Sequence, residues 1–272
     1  MFSPFNLLPL IVLALAGCSA DQPLNPSFPL SLHEAKAAIA VMRETPVKLQ
    51  RPVLVLGGYM DCGFGTPKVK KTFSEIGAGD NVISVHFFLR GTFDHCRDHL
   101  IDKVEAAFPS EDPNWTTEVD VVAGSMGGIV ARYAALPLEE GADLSKTPRK
   151  RLKIARLFTI STPHLGARMS EFPALDSLVP DMRKGSPFLA RLDVALPACG
   201  YEIIPYVRLD DAVVGIENAA PPGQTPWWVQ NQPLQFSHLN SFREERFLAD
   251  ISRRLRGERH YTTSPAAPLP KQ

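Results

Sequence analysis

Near the middle of the chain, residues 121–130 read VVAGSMGGIV, one serine set among alanine and glycines at the seam between two apolar runs. A serine hydroxyl is a poor nucleophile unless a neighbouring base takes its proton. Chemistry at Ser125 would therefore need a histidine, and a carboxylate to orient it, from elsewhere in the chain. The small residues Ala123, Gly127 and Gly128 are what a sharp strand-to-helix turn requires, because such a turn brings two backbones close and lifts the hydroxyl clear of them. The bland alternative is a glycine-rich turn with an incidental serine. Seven histidines and 29 acidic residues leave many partners open. The surrounding elements decide which of them can reach.

The chain has 272 residues, 44% of them hydrophobic and 21% charged, which is ample for a buried core. Lys plus Arg and Asp plus Glu both number 29, and with no net charge and no basic run nothing points to nucleic acid. Apolar runs at 51–58 (RPVLVLGG), 81–88, 118–124, 153–161 and 201–209 suit buried strands, and 227–236 suits a last strand or extended segment. Helical patterns fall between them. One covers 31–44, with Ser31 and Glu34 spaced as a capping box, and a Lys-rich one covers 67–76. Others cover 93–108, 126–136 and 241–257. This alternation predicts an α/β domain over 31–257 with a mostly parallel sheet covered by helices on both faces. Residues 19–30 read as a linker and 258–272 as a flexible, Pro-rich tail. Residues 166–200, broken by prolines, read as loops and short helices of a small lid.

With Ser125 on a strand–turn–helix and STPHLGAR at 161–168, the chain resembles the α/β-hydrolase superfamily, in particular its bacterial lipase and esterase branch, over about residues 50–257. Ala123 stands where the usual G-x-S-x-G pattern has its first glycine, a position that mainly forbids bulk. The resemblance implies an oxyanion loop, the serine, an acid and a histidine in that chain order. LVLGGYMDCGFG (54–65) takes the place of the oxyanion loop, with Gly57 where a histidine often stands. The donors implied are the backbone N–H groups of Tyr59 and Met126. In RLDDAVVG (208–215) the family's D-x-x-V register selects Asp211, with Asp210 as its rival. The order then leaves His238 and His260, of which His238 lies at a strand-to-helix loop and His260 in a polar tail. His164 matches the T-P-H-x-G segment and is implied to brace the loop beside the serine.

The same resemblance implies no metal and no organic cofactor. Phe64, Leu165, Phe188 and Trp227 are candidates to line an acyl-binding surface. His95 and His99 are spaced i, i+4, but a solvated helix start explains them without a metal. At the N-terminus, Leu7–Ala16 is too short to span a bilayer, which takes about 20 residues, and fits the apolar region of a secretory signal. Leu15-Ala16-Gly17-Cys18 resembles a lipobox, although no Lys or Arg precedes the apolar run. That resemblance implies a signal over 1–18, lipidation at Cys18 and a place in the bacterial cell envelope, with Ser19 pointing to the outer membrane. In such an oxidising compartment Cys62 and Cys96 are candidates for a disulfide, leaving Cys199 free; three reduced thiols are the alternative.

The expectation is therefore a serine hydrolase that cleaves lipid or other acyl esters through an acyl-enzyme, anchored to a membrane by its N-terminus. An acyltransferase or thioesterase of the same fold, and a catalytically silent envelope-binding scaffold, are the alternatives.

Overall fold

The computed structural model describes residues 24–59, 61, 65–79, 81–136, 150–171 and 176–271. Within them, β1 (Val53–Leu56), β2 (Val82–Val85), β3 (Val119–Gly124), β4 (Ile154–Ile160), β5 (Glu202–Arg208) and β6 (Trp227–Val229) form one sheet in the order β2-β1-β3-β4-β5-β6. Every adjacent pair is parallel. Parallel neighbours need long crossovers, and helices supply them: α2 (Thr66–Ile76), α3 (Phe93–Ala107) and α4 (Met126–Ala135) join successive strands. α1 (Leu32–Glu44) precedes the sheet and α8 (Glu245–Leu255) follows it. The architecture is the parallel, helix-covered sheet that the alternating pattern predicts, as the resemblance to α/β-hydrolases also implies.

The strands read as unbroken apolar runs because both faces are covered. Leu54, Leu56, Val121 and Ala123 pack toward α3 and α4, while Val53, Val55 and Val122 pack toward α1, α2 and α8. Asp120 is the polar exception inside β3, and Arg156 of β4 takes its carboxylate through hydrogen bonds of 2.8 and 2.6 Å. A buried charge with such a partner is tolerated, whereas an unpaired one would not be. The capping box of α1 forms as its sequence implies: Glu34 N–H donates to Ser31 Oγ, and Ser31 N–H donates to Glu34 Oε2.

Strand order reverses between β1 and β3, one crossover leading out to β2 and the next returning past β1. In an open parallel sheet the crevice at the carboxyl ends of such strands is where ligands bind. Ser125 directly follows β3, and Gly57–Tyr59 directly follows β1. Between β4 and β5 the chain forms a 3₁₀ turn (Arg168–Glu171), α5 (Leu178–Asp181), α6 (Pro187–Ala195) and a second 3₁₀ turn (Leu196–Ala198).

Three expectations need correction. β6 ends at Val229 rather than running to 236, because Gln230-Asn231-Gln232-Pro233 turns away from the sheet and proline has no N–H to pair. The helix expected over 241–257 begins only at Glu245, as α8, with the Glu244 side chain capping its start; a separate short helix, α7 (Ser237–Ser241), precedes it. The tail is not loose. Asp250 Oδ1 accepts from Tyr261 and Thr262 N–H at 2.6 and 3.0 Å, Thr263 N–H donates to Ser27 O, and Trp228 Nε1–H donates to Ala267 O. Composition alone suggested disorder; a buried carboxylate and a tryptophan N–H that need partners hold the segment down.

Candidate active site

Ser125 sits at φ 50° and ψ −128°, a conformation that L-residues rarely adopt, on the one-residue turn between β3 and α4. The turn is held from outside. Ser125 N–H donates to Ile160 O at 2.9 Å, and Thr162 Oγ1 donates to Ser125 O at 2.8 Å. Glycine is required around it for room. A Cβ on Gly127 would lie 2.6 Å from Gly57 O, one on Gly124 would lie 2.7 Å from the Phe242 ring, and one on Gly128 would run into Thr162. Backbone strain of this kind persists only where neighbours over-determine it.

His238 reaches this serine from α7. Its Nε2 lies 3.1 Å from Ser125 Oγ, and its Nδ1 lies 3.1 and 3.0 Å from the two carboxylate oxygens of Asp211. An ionised carboxylate only accepts, so Nδ1 carries the proton and Nε2 is free to accept from the serine hydroxyl. Asp211 is buried, which by itself raises a carboxyl's pKa. The hydrogen bond and charge of His238, with the Val214 N–H, outweigh that and hold it below the usual carboxylate value. Asp210, exposed and at φ 60°, is not the residue behind the imidazole. Ser237 Oγ donates to Leu209 O at 2.7 Å, tying the histidine's turn to the strand end that carries the acid. His260 is elsewhere, beside Arg254 and Thr262.

His164 is fully buried below the elbow. Arg132 Nη1 lies 3.1 Å from its Nδ1, and Thr159 Oγ1 lies 3.0 Å from its Nε2. Arginine can only donate, so Nδ1 accepts and Nε2–H donates to the threonine. Burial first, and the Arg132 charge second, push its pKa well down. It is a neutral brace. The second Arg132 nitrogen reaches Asp193 of α6 at 2.9 Å, joining the helix behind the serine to the β4–β5 insertion.

Residues 91–184 match the model of a family described as "Putative serine esterase (DUF676)". The match covers less than half of the chain. No curated protein matches it at a significant level. Among solved structures it is similar to the phospholipase PlaB from Legionella pneumophila in complex with thio-NAD, at 14% identity and TM-score 0.43, covering 63% of this chain and 44% of that one. It is also similar to a putative cell surface hydrolase from Lactobacillus plantarum, at 16% identity and TM-score 0.35, covering 74% and 78% of the two chains. The chain thus spans less than half the length of the phospholipase.

Other residues singled out from the sequence are distributed unevenly around Ser125. Met126 opens α4, so its N–H has no acceptor within the helix. The loop after β1 passes close by: a Cβ on Gly58 would lie 3.0 Å from Ser125 Cβ. The next residue, Tyr59, is exposed and its hydroxyl donates to Asp176 at 2.8 Å. Gly57 explains itself, since a side chain there would lie 2.5 Å from Asp61 Oδ2. Phe188, half-buried, stacks on Phe93 at 4.2 Å and meets Tyr133 edge-on at 5.1 Å. Trp227 begins β6 and borders a cavity of about 460 Å³ with Glu202, Pro205 and His260, at the amino end of the strands and away from Ser125. Leu165 is half-buried in the loop after β4.

Phe64, Cys62 and Cys18 lie outside the described residues. Cys96 is a free thiol, and the partner expected for it, Cys62, lies outside the described residues. The Cys96 side chain points from α3 into the core, and burial pushes its pKa up to about 12. Sequence reasoning missed Arg132 and Arg208; Arg132 is a lone charge within an apolar stretch, and that mismatch was the available signal, whereas Arg208 stands at the end of its apolar run beside two aspartates.

Proposed function

We propose that this protein is a serine hydrolase that cleaves carboxylic esters of lipid or other acyl groups through an acyl-enzyme on Ser125. The reading is carried by one observation, the continuous chain Ser125 Oγ–His238–Asp211 at hydrogen-bond distances. His238 Nε2 takes the hydroxyl proton as Oγ bonds to the ester carbonyl carbon. The carbonyl oxygen becomes an oxyanion facing the N–H groups of Met126 and Tyr59. As it collapses, the C–O bond to the alcohol breaks and His238 returns the proton to the departing alkoxide. Water then repeats the sequence: His238 takes its proton, hydroxide adds to the acyl carbon, and Ser125 leaves reprotonated with the free acid. Asp211 keeps the imidazole in the required tautomer and stabilises its charged form.

The test is a panel of p-nitrophenyl esters of several acyl lengths together with a fluorophosphonate probe. Turnover and labelling at Ser125 are expected, with kcat falling roughly 10⁴–10⁶-fold in Ser125→Ala. Neither turnover nor labelling in the wild type would overturn the reading in favour of a silent scaffold. Acyl transfer to an added alcohol in preference to water would move it to an acyltransferase. The lipobox-like sequence further supports export and lipidation at Cys18. Loss of radiolabelled palmitate incorporation in Cys18→Ser, in a bacterial host, is the expected result.

A further inference from the structure

We infer that Glu244, gripped by Arg208 and Arg246, is a positioning residue that sets where the His238 imidazole stands. The inference rests on the serine-hydrolase reading above. His238 lies on α7, inside a segment that leaves the sheet after Val229 and reaches α8 at Glu245. Its sheet anchor is weak, because β6 is only three residues long and pairs with β5.

A buried ionic clasp closes the segment instead. Glu244, at its far end, accepts from Arg246 Nε at 2.7 Å and Nη2 at 3.1 Å. Arg246 in turn grips the near end, donating from Nη1 to Gln230 Oε1 at 3.2 Å and from Nη2 to Gln230 O at 2.9 Å. Arg208 holds the middle: its Nη2 donates to Gln235 Oε1 at 2.9 Å and its Nε lies 3.4 Å from Glu244 Oε2. All three charged side chains are buried.

The chemistry of the cluster makes the carboxylate decisive. Two guanidinium groups share one negative charge, and Arg208 Nε has no aligned hydrogen-bond acceptor of its own. Neutralising Glu244 leaves two buried cations facing each other, which is relieved only by admitting water between the segment and β5. Arg208 is three residues before Asp211, and Ser237, beside His238, is bonded to the carbonyl of Leu209 between them. Opening the clasp therefore moves base and acid relative to each other, and displacements near 1 Å cost on the order of 10²-fold in rate.

The test compares full-length wild type, Glu244→Gln, Glu244→Asp and Gln235→Ala, with Lys68→Ala as control for the neighbouring surface pair to Glu245. Rates are normalised to the folded fraction from thermal melts. Glu244→Gln is expected to lower kcat roughly 10- to 100-fold with KM changed less than about twofold. Glu244→Asp should recover part of the loss, Gln235→Ala should lower kcat several-fold, and Lys68→Ala should leave it unchanged. A folded Glu244→Gln with wild-type kcat would overturn the inference. Should that variant fail to fold, wild-type kcat in the exposed Gln235→Ala would do the same. Proton NMR supplies a readout independent of turnover, the far-downfield resonance of the His238 Nδ1–H bonded to Asp211. Its loss in Glu244→Gln or weakening in Gln235→Ala supports the clasp, and its persistence unchanged in both refutes it. An inactive, unlabelled wild type would instead sink the hydrolase reading, and the resonance would then decide the clasp alone.

Discussion

Two adjacent aspartates show how much a single position matters. Asp210 and Asp211 are chemically alike, yet one is exposed at a positive φ and the other is buried behind His238. Asp211→Asn should therefore lower kcat roughly 10³–10⁴-fold by supporting the wrong imidazole tautomer, whereas Asp210→Asn should change it little; steady-state ester hydrolysis separates the two. The same carboxylate leaves a pH signature. Its folded pKa is depressed below the unfolded value, so its stabilisation is fully present above the unfolded carboxylate pKa and is lost as pH falls through the lower folded value. Denaturant midpoints should show wild type ahead of Asp211→Asn at neutral pH, with the gap closing only under acid conditions. A gap independent of pH would mean that the carboxylate is not ionised in the fold.

At the scale of elements, the legible part was the alternation of apolar runs with capped helices, because burial on both faces of a parallel sheet leaves an unmistakable pattern. The serine's turn was legible for the same kind of reason: only small residues fit where β3, α4 and the loop after β1 meet. The D-x-x-V register and the chain order implied by the family resemblance then pointed to Asp211 and His238, and the structure brings both to Ser125. What could not be read was set by long-range partners. Aromatic type says nothing of direction, so the packing of Phe188 on Phe93 was not legible. Trp227 fell at the wrong end of the sheet because a strand three residues long leaves no periodicity to orient it. The helix α4 offers a direct test of the close approach. Gly127→Ala adds one methyl against the Gly57 carbonyl, a backbone atom that cannot swing aside. It should destabilise the protein by about 1–3 kcal/mol, read by denaturant unfolding. It should also depress kcat by pushing the loop of Gly58 and Tyr59 away from the serine. Full activity would show that this loop does not supply an oxyanion donor.

For the whole molecule, the two ends of the sheet divide the labour. The carboxyl end holds Ser125, His238 and Asp211, while the far side of α8 holds the chain's last residues through Asp250. That carboxylate is fully buried and accepts from Tyr206 Oη at 2.7 Å and Arg254 Nε at 2.9 Å as well as from Tyr261 and Thr262 N–H. Removing residues 258–272 takes away both backbone donors, the Thr263 and Ala267 bonds to Ser27, and the acceptor of Trp228 Nε1–H. Each orphaned buried group costs about 1–3 kcal/mol, and in a domain of this size 1 kcal/mol corresponds to about 2–4 °C. The truncated chain should therefore melt at least roughly 5 °C lower. Below its melting transition it should turn over esters with wild-type KM and kcat, because none of the lost bonds touches the serine's surroundings. A scanning calorimetry trace coinciding with that of the full chain would show that these contacts contribute nothing. A fall in kcat at a temperature where the truncated protein is fully folded would show instead that the two ends of the sheet are coupled through β5.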